Sequence, residues 1–459
     1  MGLAFRKRGE SSYGFPILIP GAALTNHAPG RTSWLIFSLL ILAATEWTVR
    51  GPVRAFRSSN DYNDFLSPYV QTKVWLSGQD PYDLGVLARS WPFRGESLKL
   101  SLLARGIPSP YPITGFPLLA PLAALSWPNA NLLWQVTEVL FFAILLASLL
   151  SIAKVSEVAG SRYLIVLATL AFAPFHTALA VENVALVALT FAAAAIACER
   201  RNHLIAGLLL ACGLALKPTV AFPAFVYLLV RRQWSSVLTS LGLCAVLLLT
   251  AAMRMMLVGT DWLSNYVANG RHLFDTGTVY DFSSANPLRF DLVNAQLVLS
   301  QFLSRSLAQY VSAAIAIVGL IFWLQLRQRV RRDHALLDLS VLSVLALVPL
   351  YHRFYDAALL IFPVAWAITN LRGAAARYAQ VILAATVPFL IPGAALLRHL
   401  ASSQTFIGSL SRSWWWNPFI APHEAWLVFL ILLVLLSAVR KLGQPQAQYA
   451  AIEDTAVAA

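Results

Sequence analysis

Carboxylates are scarce in this chain, yet four of them, Asp61, Asp64, Asp80 and Asp83, fall in one stretch, NDYNDFLSPYVQTKVWLSGQDPYD, from Asn60 to Asp83. Other polar residues stand at the ends of apolar runs: Glu182-Asn183, Lys217-Pro218, and His352, Arg353, Tyr355 and Asp356 in PLYHRFYDAALL. A polar segment farther along adds Asp261, His272, Asp275, Asp281, Arg289 and Asp291. Taken together these side chains suit one kind of reaction. A lipid-linked phosphosugar would present its phosphate to Lys217, Arg353 or Arg289 and lay its acyl chain between helices. A carboxylate would deprotonate or orient an attacking hydroxyl. The cations would stabilise the departing phosphate as its charge develops. Arg and Lys can carry a monophosphate leaving group, so this chemistry calls for no metal and no cofactor. No GxGxxG, Walker loop, HExxH or serine elbow supports another enzyme class.

Each residue also has a plainer reading. Asp64 is a carboxylate that a helix N-terminus would favour, and Lys217 and His352 can be interfacial residues. Glu46 and Glu138 can snorkel toward an interface. Trp414, Trp415 and Trp416 fit an aromatic belt at a membrane surface better than a sugar platform.

The elements that must position these groups are membrane helices. The chain has 459 residues, 58% hydrophobic and 12% charged, with mean hydropathy +0.66, against about 25% charged in a soluble domain. Apolar runs long enough to cross a bilayer recur from end to end, and spans in lipid must be helices. The expected fold is therefore an all-α polytopic membrane protein. The spans fall at about residues 32–49, 129–153, 162–181, 184–198, 203–217, 219–230, 235–257, 307–326, 335–351, 356–371, 377–398 and 424–440. Phe65, Tyr69, Val70, Val74, Trp75 and Leu76 recur at helical spacing, which predicts a helix with one apolar face lying along the membrane, Asp64 in its first turn. That helix should stop at Ser77-Gly78, with Asp80-Pro81-Tyr82-Asp83 as a turn. The Pro-rich stretch from Pro108 to Pro128 reads as a re-entrant or interfacial segment packed against protein. Cys198, Cys212 and Cys244 lie in apolar stretches without metal spacing and read as packing residues.

The formal net charge of +13 follows from the topology rather than from a nucleic-acid partner. Arg6, Lys7 and Arg8, Lys154 and Arg162, Arg200-Arg201, Arg231-Arg232, Arg327 to Arg332, Arg372 and Arg377, and Arg440-Lys441 all fall on one side if there are twelve spans. The positive-inside rule makes that side cytoplasmic. The leader 1–31 and tail 441–459 are then cytoplasmic. Loops 50–128, 258–306 and 399–423 face outward in a cell membrane, and any chemistry they carry happens outside.

Four stretches resemble the family 87 α-mannosyltransferases, which use polyprenyl-phosphate-mannose and belong to the GT-C superfamily. They are Asp64-Phe65 with Tyr69, Leu76-Ser77-Gly78 and Asp80-Pro81-Tyr82-Asp83; Tyr111-Pro112 with Phe116 to Leu122; Ala206 to Leu210 with Ala215-Leu216-Lys217-Pro218; and Leu350 to Asp356. Their order covers about residues 32–440. The chain departs from the pattern at Glu182-Asn183, where the family often has Gly-Gln, and at Tyr111-Pro112-Ile113, where it has Y-P-P.

The resemblance implies a GT-C glycosyltransferase domain over 32–440. It would move a hexose, with mannose the expectation, from a polyprenyl-phosphate donor to an extracytoplasmic lipid or glycan. The family's catalytic Asp maps onto Asp64, with Asp61 the rival, and its outer histidine onto His352. Substrate-binding residues would be Asp61, Tyr69, Tyr82, Tyr111, Glu182, Asn183, Lys217, Arg289, Arg353 and Tyr355. A transporter or flippase for a lipid-linked sugar is the competing class; it should show inverted repeats, and the sequence shows none.

Overall fold

A computed structural model describes residues 31–57, 63–94, 110–154, 160–329, 334–403 and 406–443. The expectations on the leader, Asp61, Arg331, Arg332 and most of the tail lie outside the described residues. Among the described residues the chain is helical without strands; one antiparallel bridge pairs Leu292 with Arg353.

Every apolar segment read from the sequence is a helix or a bent helix pair. Among the described residues five helices are long and apolar enough to cross a membrane: Trp34–Arg57, Trp127–Ile152, Trp234–Val258, Arg305–Arg327 and His423–Leu442. Two bent pairs, Ser161–Ala171 with Ala173–Ala180 (45°) and Ala376–Leu390 with Gly393–Ala401 (55°), raise that to seven. The chain is thus a polytopic membrane-embedded protein. The shorter apolar helices form its interior. Helix Ala335–Leu347 buries every residue except Ala335 and Ala346, as expected of a helix apolar all round. The long helices instead expose residues such as Leu140, Leu249, Met256 and Leu257, the faces that meet lipid.

Proline and glycine set the breaks. Pro218 opens helix Pro218–Val230, and Lys217 before it is driven out of the helical region, to φ −150° and ψ 88°. The chain kinks there, and the lysine side chain leaves the helix end. Gly207 lets helices His203–Leu216 and Trp234–Val258 approach closely. A Cβ on it would lie 2.5 Å from Thr239 Cβ and 2.7 Å from the Ser236 carbonyl, the close approach that small residues permit between membrane helices.

The helix after Asp64 departs from its expectation. It runs Leu66–Leu76 and ends at Ser77, with Gly78 at φ 75°. It is not an interfacial helix with one wet face, because only Lys73 and Leu76 escape burial. Its polar residues are satisfied inside the protein: Thr72 Oγ1 donates to the Pro68 carbonyl, Gln71 Oε1 accepts from the Tyr111 amide, and Trp75 Nε1 donates to the Ala251 carbonyl. Arg254 also donates to the carbonyls of Trp75 and Leu76. Asp64 stands in the turn before this helix, not in its first turn. Asp80 closes the following turn by accepting from the Tyr82 amide, and Asp83 caps the next short helix through the Val86 amide.

The Pro-rich segment forms a short turn at Ile113–Gly115 and helix Phe116–Ala123, which packs on helix Leu66–Leu76. Glu46 pairs with Arg50 at 2.9 Å near a surface. Glu138 does not snorkel: it is 1% exposed, and its helix turns it into the protein. In the aromatic run Trp414 is exposed and Trp416 buried.

Candidate active site

Asp64, Asn183, Lys217, Asp356 and His352 meet in one cluster. Asp64 is pinned at two points by the Val181–Asn183 turn. Its amide donates to the Val181 carbonyl at 2.7 Å, and its Oδ2 accepts from Asn183 Nδ2 at 2.7 Å. Oδ1 has no partner among the described residues. Asp64 is partly exposed.

The amide of Asn183 links two charges. Its Oδ1 accepts from Lys217 Nζ at 3.1 Å and from the Ala185 amide at 2.9 Å. A carboxylate on one end and an ammonium on the other fix which way this amide points. Lys217 Nζ also donates to Asp356 Oδ1 at 2.6 Å and sits 4.7 Å from the centre of the Tyr355 ring. On its far side Asp356 Oδ2 lies 3.3 Å from His352 Nδ1 and accepts from the Arg353 amide at 3.3 Å. His352 Nε2 is 3.1 Å from the Ala346 carbonyl. The result is a chain of contacts: Asp64, Asn183, Lys217, Asp356, His352.

His352 and Asp356 are closed off, at 0% and 2% exposure. They hold the chain from behind, while Asp64, Lys217, Arg353, Tyr355 and Tyr111 keep partial access. Arg353 is packed beside Tyr355 and within electrostatic reach of Asp64 and Asp291. Burial works against its charge, but these neighbours and Tyr280 more than offset it and raise its pKa. The Leu292–Arg353 bridge, with the Val293 amide bound to the His352 carbonyl at 2.7 Å, ties the segment carrying Arg289 to this turn. Arg289 lies over the Phe290 ring, and its Nε is buried without a hydrogen-bond partner.

Two sequence candidates are committed elsewhere. Tyr69 Oη donates to the Leu125 carbonyl, and Tyr82 Oη to the Tyr111 carbonyl, both from buried positions. Tyr111 itself gives its amide to Gln71. A cavity of about 470 Å³ lies along helix Trp262–His272, lined by Asp261, Leu263, Val267 and Arg271 among others, and includes none of the Asp64 cluster. Among the described residues no three His, Cys, Asp or Glu side chains are grouped as a metal would need.

The structure adds a second layer behind Asp64. Gln135 Nε2 donates to Glu182 Oε1 at 2.8 Å, and Asn63 Nδ2 donates to Asn131 Oδ1 at 2.9 Å. Burial pushes the Glu182 carboxyl up to about 7, and the charge of Asp64 adds to it, against the lowering influence of the Gln135 hydrogen bond and the nearby Asn131 and Asn63 amides. Sequence reasoning passed over Asn63, Asn131 and Gln135. The available signal was Asn131, Gln135 and Glu138 at helical spacing in an apolar span, since polar residues at membrane depth are expensive to keep.

A partly exposed carboxylate, held by an amide beside partly buried cations in a membrane-embedded helical protein, is the equipment of a membrane group transferase. The profile of Glycosyltransferase family 87 matches residues 110–352, more than half of the 459-residue chain. The chain belongs to glycosyltransferase family 87 and is a membrane glycosyltransferase. The matched stretch contains Asn183, Lys217, Arg289 and His352 and begins after Asp64. No curated protein and no solved structure matches the chain.

Proposed function

We propose that the protein transfers a hexose, mannose, from a polyprenyl-phosphate donor to a lipid or glycan acceptor on the extracytoplasmic side of a cell membrane. The observation that carries this reading is the chain of contacts from Asp64 through Asn183 and Lys217 to Asp356. It sets a base with one free oxygen next to cations. Asp64 Oδ1 takes the proton of the acceptor hydroxyl. The hydroxyl oxygen bonds to the anomeric carbon as the carbon–oxygen bond to phosphate breaks, and the electron pair leaves on the phosphate. Lys217 and Arg353, with Arg289 from the neighbouring segment, neutralise that charge as it forms. A single displacement of this kind inverts the anomeric centre. His352 acts through Asp356, holding the carboxylate that positions Lys217. The topology that goes with this reading has twelve spans, both termini in the cytoplasm and the GT-C domain over 32–440. The shorter helices then cross within the bundle, surrounded by protein.

Purified protein in liposomes with radiolabelled polyprenyl-phosphate-mannose and an envelope acceptor extract tests it. Wild type should move label into a new glycoside, and Asp64→Asn should reduce the rate at least a hundredfold. A wild-type rate in Asp64→Asn removes Asp64 from the mechanism. Label that crosses the bilayer but stays on polyprenol makes the protein a transporter.

A further inference from the structure

Glu182 occupies a position that an ordinary glutamate avoids. Its φ is +56°, in the left-handed region, at the end of helix Ala173–Ala180 where glycine is the easy choice. It is 0% exposed. Gln135 serves Oε1, and Oε2 is buried with no hydrogen-bond partner. A carboxylate ion in such a place would need donors on both oxygens. The charged neighbours make ionisation worse. Asp64 lies on one side, and Glu138 of helix Trp127–Ile152 is buried within electrostatic reach, its Oε1 likewise without a partner. The Lys217 ammonium is given to the adjacent Asn183 and to Asp356. Arg353 is within electrostatic reach of Tyr355 and Asp64. Helix Pro52–Arg57, packed on helices Trp127–Ile152 and Ala173–Ala180, carries Arg54 and Arg57. Asn63, Asn131 and Gln135 are neutral.

We propose that Glu182 is a proton-holding positioning residue: it works as the neutral acid, and its ionisation switches the Asp64 site off. The turn that holds Glu182 also supplies both contacts that fix Asp64, the Val181 carbonyl and the Asn183 amide. An ionised Glu182 beside Asn183 competes with Asp64 for that amide and for the Lys217 ammonium. It also adds a negative charge where an anionic phosphate must come. The neutral acid does neither, and it leaves no charge on the buried, unpartnered Oε2. Titration near neutral pH places this switch where a change in surroundings would reach it.

This inference rests on the transfer reading, so its test has two arms. The first is the pH dependence of kcat/KM, each enzyme scaled to its own maximum. Wild type should fall about tenfold from pH 6 to pH 8, while Glu182→Gln, a permanently neutral isostere, should stay level. A Glu182→Gln profile that falls like wild type overturns the proposal. The second arm needs no activity: infrared difference spectra of the purified protein between pH 5 and pH 9. A carboxylic-acid carbonyl band that disappears near neutrality and is missing from Glu182→Gln supports it. Absence of that band in wild type overturns it even when the variant is inactive. If wild type makes no glycoside at any pH, the transfer reading fails alone, and the infrared arm still decides whether Glu182 holds its proton.

Discussion

Replacing Asn183 by leucine removes the amide and keeps the shape. Three hydrogen bonds go, one to Asp64 at 2.7 Å, one from Lys217 at 3.1 Å and one from the Ala185 amide at 2.9 Å. Lys217 keeps Asp356 at 2.6 Å, so that ion pair survives. Asp64 keeps its backbone bond to Val181 but loses the one contact that aims its carboxylate. A hydrogen bond to a charged group is worth about 1.5–3 kcal/mol. If it is needed in the transition state, kcat/KM falls roughly 10- to 150-fold. The assay is the liposome transfer measurement on wild type, Asn183→Leu, Asp64→Asn and the double variant. Asn183 acts on rate through Asp64, so the double variant should be within about twofold of Asp64→Asn alone. Thermal midpoints in detergent separate misfolding from misaiming. Asn183→Leu with a wild-type midpoint and a rate within twofold of wild type would refute the reasoning, because the contact would then be incidental.

Other perturbations follow from the same geometry. Lys217→Met leaves the Asp356 carboxylate, 2% exposed, without its ammonium; stability should drop by about 3–5 kcal/mol, and adding Asp356→Asn should recover part of it, read by thermal unfolding. Gly207→Ala should cost about 1–3 kcal/mol by forcing apart two packed helices, whereas Gly242→Ala, with nothing within 4 Å of the new methyl, should cost nothing in the same assay. The Glu182 carboxyl is raised from 4.5 to about 7 in the folded protein. The folded state therefore binds more protons across that window, and stability falls as pH rises through it, by an amount on the order of 3 kcal/mol. The midpoint should drop between pH 5 and pH 8 in wild type and less in Glu182→Gln. Asp281 has the opposite sign. Burial pushes it up, but hydrogen bonds from Gly277 and Ser283 and the charge of Arg305 hold it below its usual value. Its contribution is present above pH 4 and lost in acid, and Asp281→Asn should flatten the acid limb of the midpoint curve.

Helix positions were legible in the sequence because their signals are local. Apolar runs bounded by Arg pairs, Gly78 and Pro218 mark starts and stops without reference to the rest of the chain. Lys217 was legible for the same reason: a lysine before proline at the end of an apolar run must leave the helix. The burial of helix Leu66–Leu76 was not legible. Apolar residues at helical spacing describe one face, and nothing local records that Gln71 meets Tyr111 or Trp75 meets Ala251. Asp356 stood in view beside His352, but its partner is 139 residues away. Asn63 and Asn131 are separated by 68 residues and look like two unrelated polar residues until the fold pairs them.

The contacts that bury helix Leu66–Leu76 also bear on how the protein is made. Trp75 is held by Ala251, 176 residues farther along the chain, and Arg254 closes over the same helix end. At roughly 5–20 residues per second the ribosome needs about 9–35 s to cover that distance. For that interval the segment after Asp64 has emerged without this partner, and the Trp75 indole is unsheltered. An eleven-residue helix is too short to be retained as a span in its own right. The helix after Asp64 is therefore sheltered only when helix Trp234–Val258 arrives, and the cluster around Asp64 is completed later still, when Asp356 and His352 follow; chains released before that point would carry Asp64, Asn183 and Lys217 without the carboxylate that holds the lysine.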